Sequence, residues 1–225
     1  MTASEDIELW DNARKVWEPG TLWRQPDPHL VLRAEEQWRG WMEGVAAINV
    51  DRGLGVTLPF TYAHWPWGRI AVQANRSLRE EVYAVTRTTN PGTQSQRVWV
   101  EGLMHLSTYE HSCRAESHKG KPGIYLDLIA TAPWNLPGVL TPPRYQLVGK
   151  ILMRQAIDIS RDFGFKGRLG LHALDEAARW YEKKIGMVSL GRDPKKENLE
   201  YFELEEAAAE AFYPFEGDDD EENPT

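Results

Sequence analysis

Two spacings of apolar and polar positions run along this chain, and the changes between them mark its elements. From Val148, the apolar residues Ile151, Leu152, Ala156 and Ile159 recur at helical spacing, and Lys150, Arg154, Asp158 and Arg161 fill the other side. The pattern predicts a helix with one buried face, ended by Gly164. "DEAARWYEKKIG" predicts a second helix, with Asp175 as its N-cap and Gly186 at its end. Around these helices the spacing shortens to two. "EEVYAVTR" and "RVWVEGLMHLSTY" read as strands joined by the turn "TTNPGTQSQ", followed by a polar connection over 110–122. "GIYLDLIATAP" reads as a central strand, apolar on both faces except for Asp127. "GRLGLHAL" is a fourth strand, and "MVSLGRD" with "LEYFEL" forms a closing hairpin. Upstream, residues 4–17 read as a short amphipathic helix carrying Ile7, Trp10 and Trp17, ended by Pro19 and Gly20. A linker over 20–29 and a helix over 30–48, with Trp38, Trp41 and Val45 on one side, come next. Residues 52–75 are irregular, with strand-like pieces broken by prolines and glycine.

This order of elements predicts an α+β fold with a mixed sheet. The step from residue 123 to residue 174 is a β-α-β crossover, so its two strands start out parallel. The chain divides into a Trp-rich, helical and irregular region over 1–75 that packs on a core over 76–212, and an acidic tail over 217–225. The net charge of −8 is concentrated in that tail, "EGDDDEEN", a like-charge block expected to be disordered. The nearly neutral body gives no sign of nucleic-acid binding. A single cysteine, Cys113, excludes an internal disulfide framework. No apolar run has membrane-spanning length and the N-terminus is acidic, so a cytoplasmic protein is expected, with no membrane partner.

The chemistry gathers around the first helix. Gly149 is a poor helix former placed in a first turn, where backbone N–H groups attract anions. Gln146, Leu147, Val148, Gly149 and Lys150, with Arg144 just before them, form a candidate diphosphate cradle. Asp127, a carboxylate in an apolar strand, is a candidate general base or a structural acceptor, and Glu101 on the preceding strand is its rival. His105, His111, Cys113 and His118 lie close in sequence but match no standard zinc spacing, so no metal is expected. The ten tryptophans read as packing residues.

Residues 123–187 resemble the GNAT superfamily of acetyl-CoA-dependent N-acetyltransferases. The resemblance rests on Arg144, Gly149 and Leu152 in the first helix and on Ala177, Trp180, Tyr181, Gly186 and Met187 in "AARWYEKKIGM". The chain departs from the family pattern in three places. Leu147 stands where a glycine is usual, Leu174 falls near a usual asparagine, and the interval from Tyr181 to Gly186 is one residue longer. The resemblance implies a GNAT-like mixed sheet whose parallel strands splay, with helices on both faces. It implies acetyl-CoA as cosubstrate, its pantetheine arm paired with the backbone of Ile129, Ala130 and Thr131. It implies Tyr181 as the acid that protonates the departing thiolate, and direct attack by a primary amine in a ternary complex. The amine acceptor, small molecule or protein, stays open, as does a homodimer. A catalytically inactive GNAT-fold protein that binds CoA or a partner is the alternative.

Overall fold

A computed structural model describes residues 3–51, 64–136 and 140–212. Nine strands form one mixed sheet. In chain order they are β1 (Ala3–Asp11), β2 (Val16–Arg24), β3 (Glu80–Thr89), β4 (Arg97–Ser112), β5 (Pro122–Thr131), β6 (Tyr145–Gln146), β7 (Leu169–Ala173), β8 (Val188–Asp193) and β9 (Leu199–Leu204). The order across the sheet is β6-β1-β2-β3-β4-β5-β7-β9-β8. All neighbours are antiparallel except β5 and β7, joined through helix α3 (Val148–Asp162). The α+β class and the parallel crossover are as the sequence predicts.

One face of the sheet carries α3, α4 (Asp175–Trp180) and α5 (Glu206–Ala211). Met104 and Leu106 of β4, Ile124 and Leu126 of β5, and Leu169 and Leu171 of β7 meet Leu152, Met153 and Ala156 of α3 in one buried cluster. The opposite face carries α1 (Pro28–Asp51) and α2 (Trp67–Ala74), which bury Trp38, Trp67 and Ala71 against Ala84, Val100 and Leu103. Helices thus cover both faces, and Trp38, Trp67 and Trp134 are core residues.

The N-terminal segment corrects the sequence reading. Residues 4–17 are not a helix: β1 and β2 form a hairpin, and β2 pairs with β3 through Thr21–Arg24. Ile7, Leu9 and Asp11 alternate toward the buried side, and Leu9 is fully buried. The turn is held by Asp11, whose Oδ1 accepts the N–H groups of Ala13 and Arg14, both at 2.9 Å. Pro19 and Gly20 lie inside β2, ahead of the stretch that pairs with β3, so the missing proline N–H costs no bond on that side. The hairpin belongs to the sheet itself, not to a separate helical layer over 1–75. The piece 67–74, read as irregular, is α2, with Trp67, Gly68, Ala71 and Ala74 on its buried side. Lys150, placed on the polar side of α3 by its spacing, is buried. Asp175 is the first helical residue of α4 and Leu174 takes the cap position. The acidic tail lies outside the described residues. Among the described residues, no helix is long and apolar enough to cross a membrane.

Candidate functional site

The ladder between β5 and β7 is short. It runs from Ile124 opposite Leu169 to Leu126 opposite Leu171 and stops there. Beyond it β5 continues to Thr131 along β4, while β7 turns with β9. The point of parting is a β-bulge: Leu126 faces Leu106 and Leu128 faces His105, which leaves Asp127 as the extra residue. A bulge bends its strand and re-aims the extra side chain. Asp127 is exposed at this opening. The protein packed around it still pushes its pKa up to about 6, chiefly by desolvation and then by Glu80, with Lys196 opposing. Glu80 and Lys196 stand on the sheet face away from α3. The ammonium of Lys196 lies 5.6 Å from the Tyr125 ring, and Tyr125 donates to or accepts from His172 Nδ1 at 2.7 Å.

Tyr181 lies on the α3 side of the sheet. Its ring is buried in the α3-side cluster, edge-on to Trp180 with centroids 5.1 Å apart and 6.1 Å from Phe202. Burial raises the pKa of its phenol, which stays protonated at neutral pH. Among the described residues the hydroxyl has no hydrogen-bond partner, yet it is not among the oxygens sealed from solvent. The extra residue between Tyr181 and Gly186 is taken up by a π turn over Tyr181–Ile185, closed by Gly186 at φ 79°. The N–H of Met187 then bonds to the Tyr181 carbonyl at 3.0 Å.

The start of α3 lies at the end of the sheet to which β5 runs. Leu147, in the place of the usual glycine, holds the left-handed conformation a glycine would take (φ 70°, ψ −6°) and offers no side-chain cap. The first-turn N–H groups of Val148 and Gly149 therefore have no intrahelical acceptor. Gly149 also has a packing role: a Cβ there would lie 3.1 Å from Cζ2 of Trp180. Ile129, Ala130 and Thr131 lie on the stretch of β5 past the parting from β7.

Glu101 is differently occupied. It too is a bulge residue, between Val100 and Gly102 of β4, and it is fully buried. Oε1 accepts from Arg87 Nε at 2.8 Å, and Oε2 accepts from Trp134 Nε1 at 2.6 Å and Asn135 Nδ2 at 2.9 Å. A carboxylate with both oxygens engaged by three donors has no place for a substrate proton. Glu101 is corrected from candidate base to anchor of the loop that follows β5.

No family model and no curated protein matches this chain. Among solved structures it is similar to the PaiA N-acetyltransferase from Thermoplasma acidophilum in complex with coenzyme A. That likeness has 11% identity over 76% of this chain and 94% of the other, at a TM-score of 0.43. It is similar to an acetoin utilization protein from Exiguobacterium sibiricum at 11% identity over 90% and 86%, TM-score 0.43. It is also similar to AtaTR bound with AcCoA, at 20% identity over 62% and 78%, TM-score 0.41. Likenesses at this level leave the functional reading to the site itself.

His111 bonds to Tyr201 on the face away from α3. Cys113, His118 and Glu203 converge, with one ligand atom of each within 4.8 Å of the others. Glu203 accepts from Tyr201 Oη and from the backbone of Arg114 and Ala115, with His118 Nε2 3.1 Å away. These donors already satisfy the buried carboxylate. Burial pushes the Cys113 thiol up to about 11, which makes it a poor nucleophile at neutral pH. Arg144 stacks on its own neighbour. Its guanidinium sits 5.5 Å over the Tyr145 ring and lines a cleft with Arg87 and Arg97, two residues that sequence reasoning missed. Trp180 against Gly149 was missed as well. A period-two reading of β3 and β4 puts Arg87 and Arg97 on one face only once the register between the strands is known.

Proposed function

We propose that this chain is an N-acetyltransferase of the GNAT type, which transfers an acetyl group from acetyl-CoA to a primary amine by direct attack. The observation that carries the reading is the parting of β5 from β7 at the Asp127 bulge. The exposed Asp127 and the phenol of Tyr181, packed in the cluster on the α3 side of the sheet, support the roles of base and acid there. A thioester lying in that opening has a base on one side of its carbonyl and an acid on the other, the arrangement a direct displacement needs.

The chain's own residues divide the work. The backbone of Ile129–Thr131 pairs with the pantetheine amides as an added strand would. The N–H groups at the start of α3, around Leu147–Gly149, hold the diphosphate, with Gln146 and Lys150 beside them. Asp127, with its pKa raised to about 6, takes the proton from the attacking ammonium. The amine nitrogen bonds to the acetyl carbon, the tetrahedral adduct collapses, and the carbon–sulfur bond breaks. Tyr181 gives its phenolic proton to the thiolate that leaves. Cys113 is buried with a raised pKa and takes no acyl group, which supports a single displacement.

Calorimetry with acetyl-CoA, followed by a thiol-release assay across a panel of primary amines, tests the proposal. Micromolar binding and acetyl-CoA-dependent release with at least one amine are expected. Binding without release from any amine would refute the catalytic reading, and no binding would refute the cosubstrate.

A further inference from the structure

The hairpin of β3 and β4 builds a second feature that the acetyl-transfer reading does not use. Arg87 faces Trp99 and Thr89 faces Arg97 across the ladder, so by strand alternation all four project from one face of the hairpin. With Ser95 from the turn and Arg144 from the loop ahead of α3, they line a cleft of about 440 Å³. Three of its lining residues are arginines. Arg87 gives its Nε–H to Glu101, and among the described residues its Nη groups form no hydrogen bond to a carboxylate. Arg97 and Arg144 form no ion pair among the described residues. Glu101 lies buried behind Arg87, and Glu18 accepts from the hydroxyl of Tyr145, the ring over which Arg87 and Arg144 sit. Three cationic side chains thus face the cleft with two carboxylates near them, and an anion between the guanidiniums relieves their remaining repulsion. Planar guanidiniums are the groups best matched to the oxygens of a phosphoryl dianion.

We propose that this cleft is a binding site for a phosphate monoester, held by Arg97 and Arg144 against the fixed guanidinium of Arg87. Two sources share that chemistry: the ribose 3′-phosphate of CoA, and a phosphoryl group on a separate ligand. The site lies at the end of the sheet where α3 begins, and only the first source rests on the acetyltransferase reading.

The test compares the wild-type chain with Arg97→Gln and the double variant Arg97→Gln/Arg144→Gln. Inorganic phosphate is titrated by ³¹P line broadening, and CoA and 3′-dephospho-CoA by calorimetry. Arg97 is exposed, so thermal melts should confirm an unchanged fold. Phosphate binding should weaken on the order of tenfold in Arg97→Gln and further in the double variant. If the wild type prefers CoA to 3′-dephospho-CoA and Arg97→Gln erases the preference, the phosphate is that of CoA. If the preference is absent or survives while phosphate binding is lost, the cleft serves a separate phosphorylated ligand, and the proposal stands. If the wild type binds neither form of CoA but binds phosphate through Arg97, the acetyltransferase reading fails and the cleft stands. Phosphate that does not bind the wild type, or binds all three proteins alike, overturns the proposal.

Discussion

Replacing Asp127 by asparagine separates the chemistry of this residue from its place in the fold. The carboxyl pKa is lifted from 3.8 to about 6 in the folded chain. Because the folded value lies above the unfolded one, protonation favours the folded state. The penalty of the ionised carboxylate is absent below about pH 3.8, develops as the pH rises, and is complete above about pH 6. A shift of this size corresponds to about 3 kcal/mol if felt in full. The carboxylate is exposed at the opening, so solvent screening leaves on the order of 1 kcal/mol. Asp127→Asn removes that penalty, and for a chain of this length the melting temperature at pH 7.5 should rise by about 2–4 °C. Near pH 4 the difference should almost vanish. The rate should move the other way. Only the ionised carboxylate accepts a proton, so wild-type kcat/KM should climb with pH and level off above about 6. In Asp127→Asn it should fall by about 10²–10⁴-fold and lose that limb. Melts at the two pH values and a pH profile with the best amine of the panel measure both effects. A variant that keeps its rate together with a limb near pH 6 refutes the assignment of the base. A variant that melts lower at pH 7.5 refutes the account of the raised pKa.

Three further outcomes are expected. Tyr181→Phe keeps the ring against Trp180 and Phe202, so melting and acetyl-CoA affinity should change little while kcat falls on the order of 10²-fold in a steady-state assay. Gly149→Asp places an anion in the first turn of α3 and a Cβ 3.1 Å from Trp180, so calorimetry should show no acetyl-CoA binding in a protein that still folds. Glu101→Ala leaves Arg87 buried without its carboxylate, and urea denaturation should report a loss of about 3–5 kcal/mol, opposite in sign to Asp127→Asn at neutral pH.

The elements with local periodicity were legible in the sequence. The apolar stripe of α3, the alternation of β3 to β5 and the closing hairpin specify their own conformations, and the crossover between β5 and β7 specifies their parallel start. Gly149 falls in the first turn of α3 as its period predicts, whereas Tyr181 opens a π turn that the period of the preceding helix does not predict. The N-terminal hairpin was not legible. Ile7 and Trp10 satisfy a helical spacing while Ile7, Leu9 and Asp11 satisfy an alternating one, and the choice falls to a partner far along the chain. Thr86 Oγ1 bonds to the Thr21 carbonyl across a separation of 65 residues. Helix propensity within the segment cannot outweigh a sheet edge that is already waiting.

The two carboxylates show the same division more sharply. In the sequence, Asp127 and Glu101 are each one acidic residue in an apolar strand, and nothing local ranks them. Both fall at bulges, where the alternation that would assign a side chain to a face breaks down. Tertiary structure then separates them. Glu101 is met by Arg87 from the neighbouring strand and by Trp134 and Asn135 from the following loop, so its charge is held and buried. Asp127 sits at the bulge where two strands part and is exposed, so its charge is left to solvent. Charge, spacing and strand period are properties of the chain taken in order. Which side of a bulge a carboxylate faces, and which arginine reaches it, depends on register between distant strands, and only the folded sheet decides it.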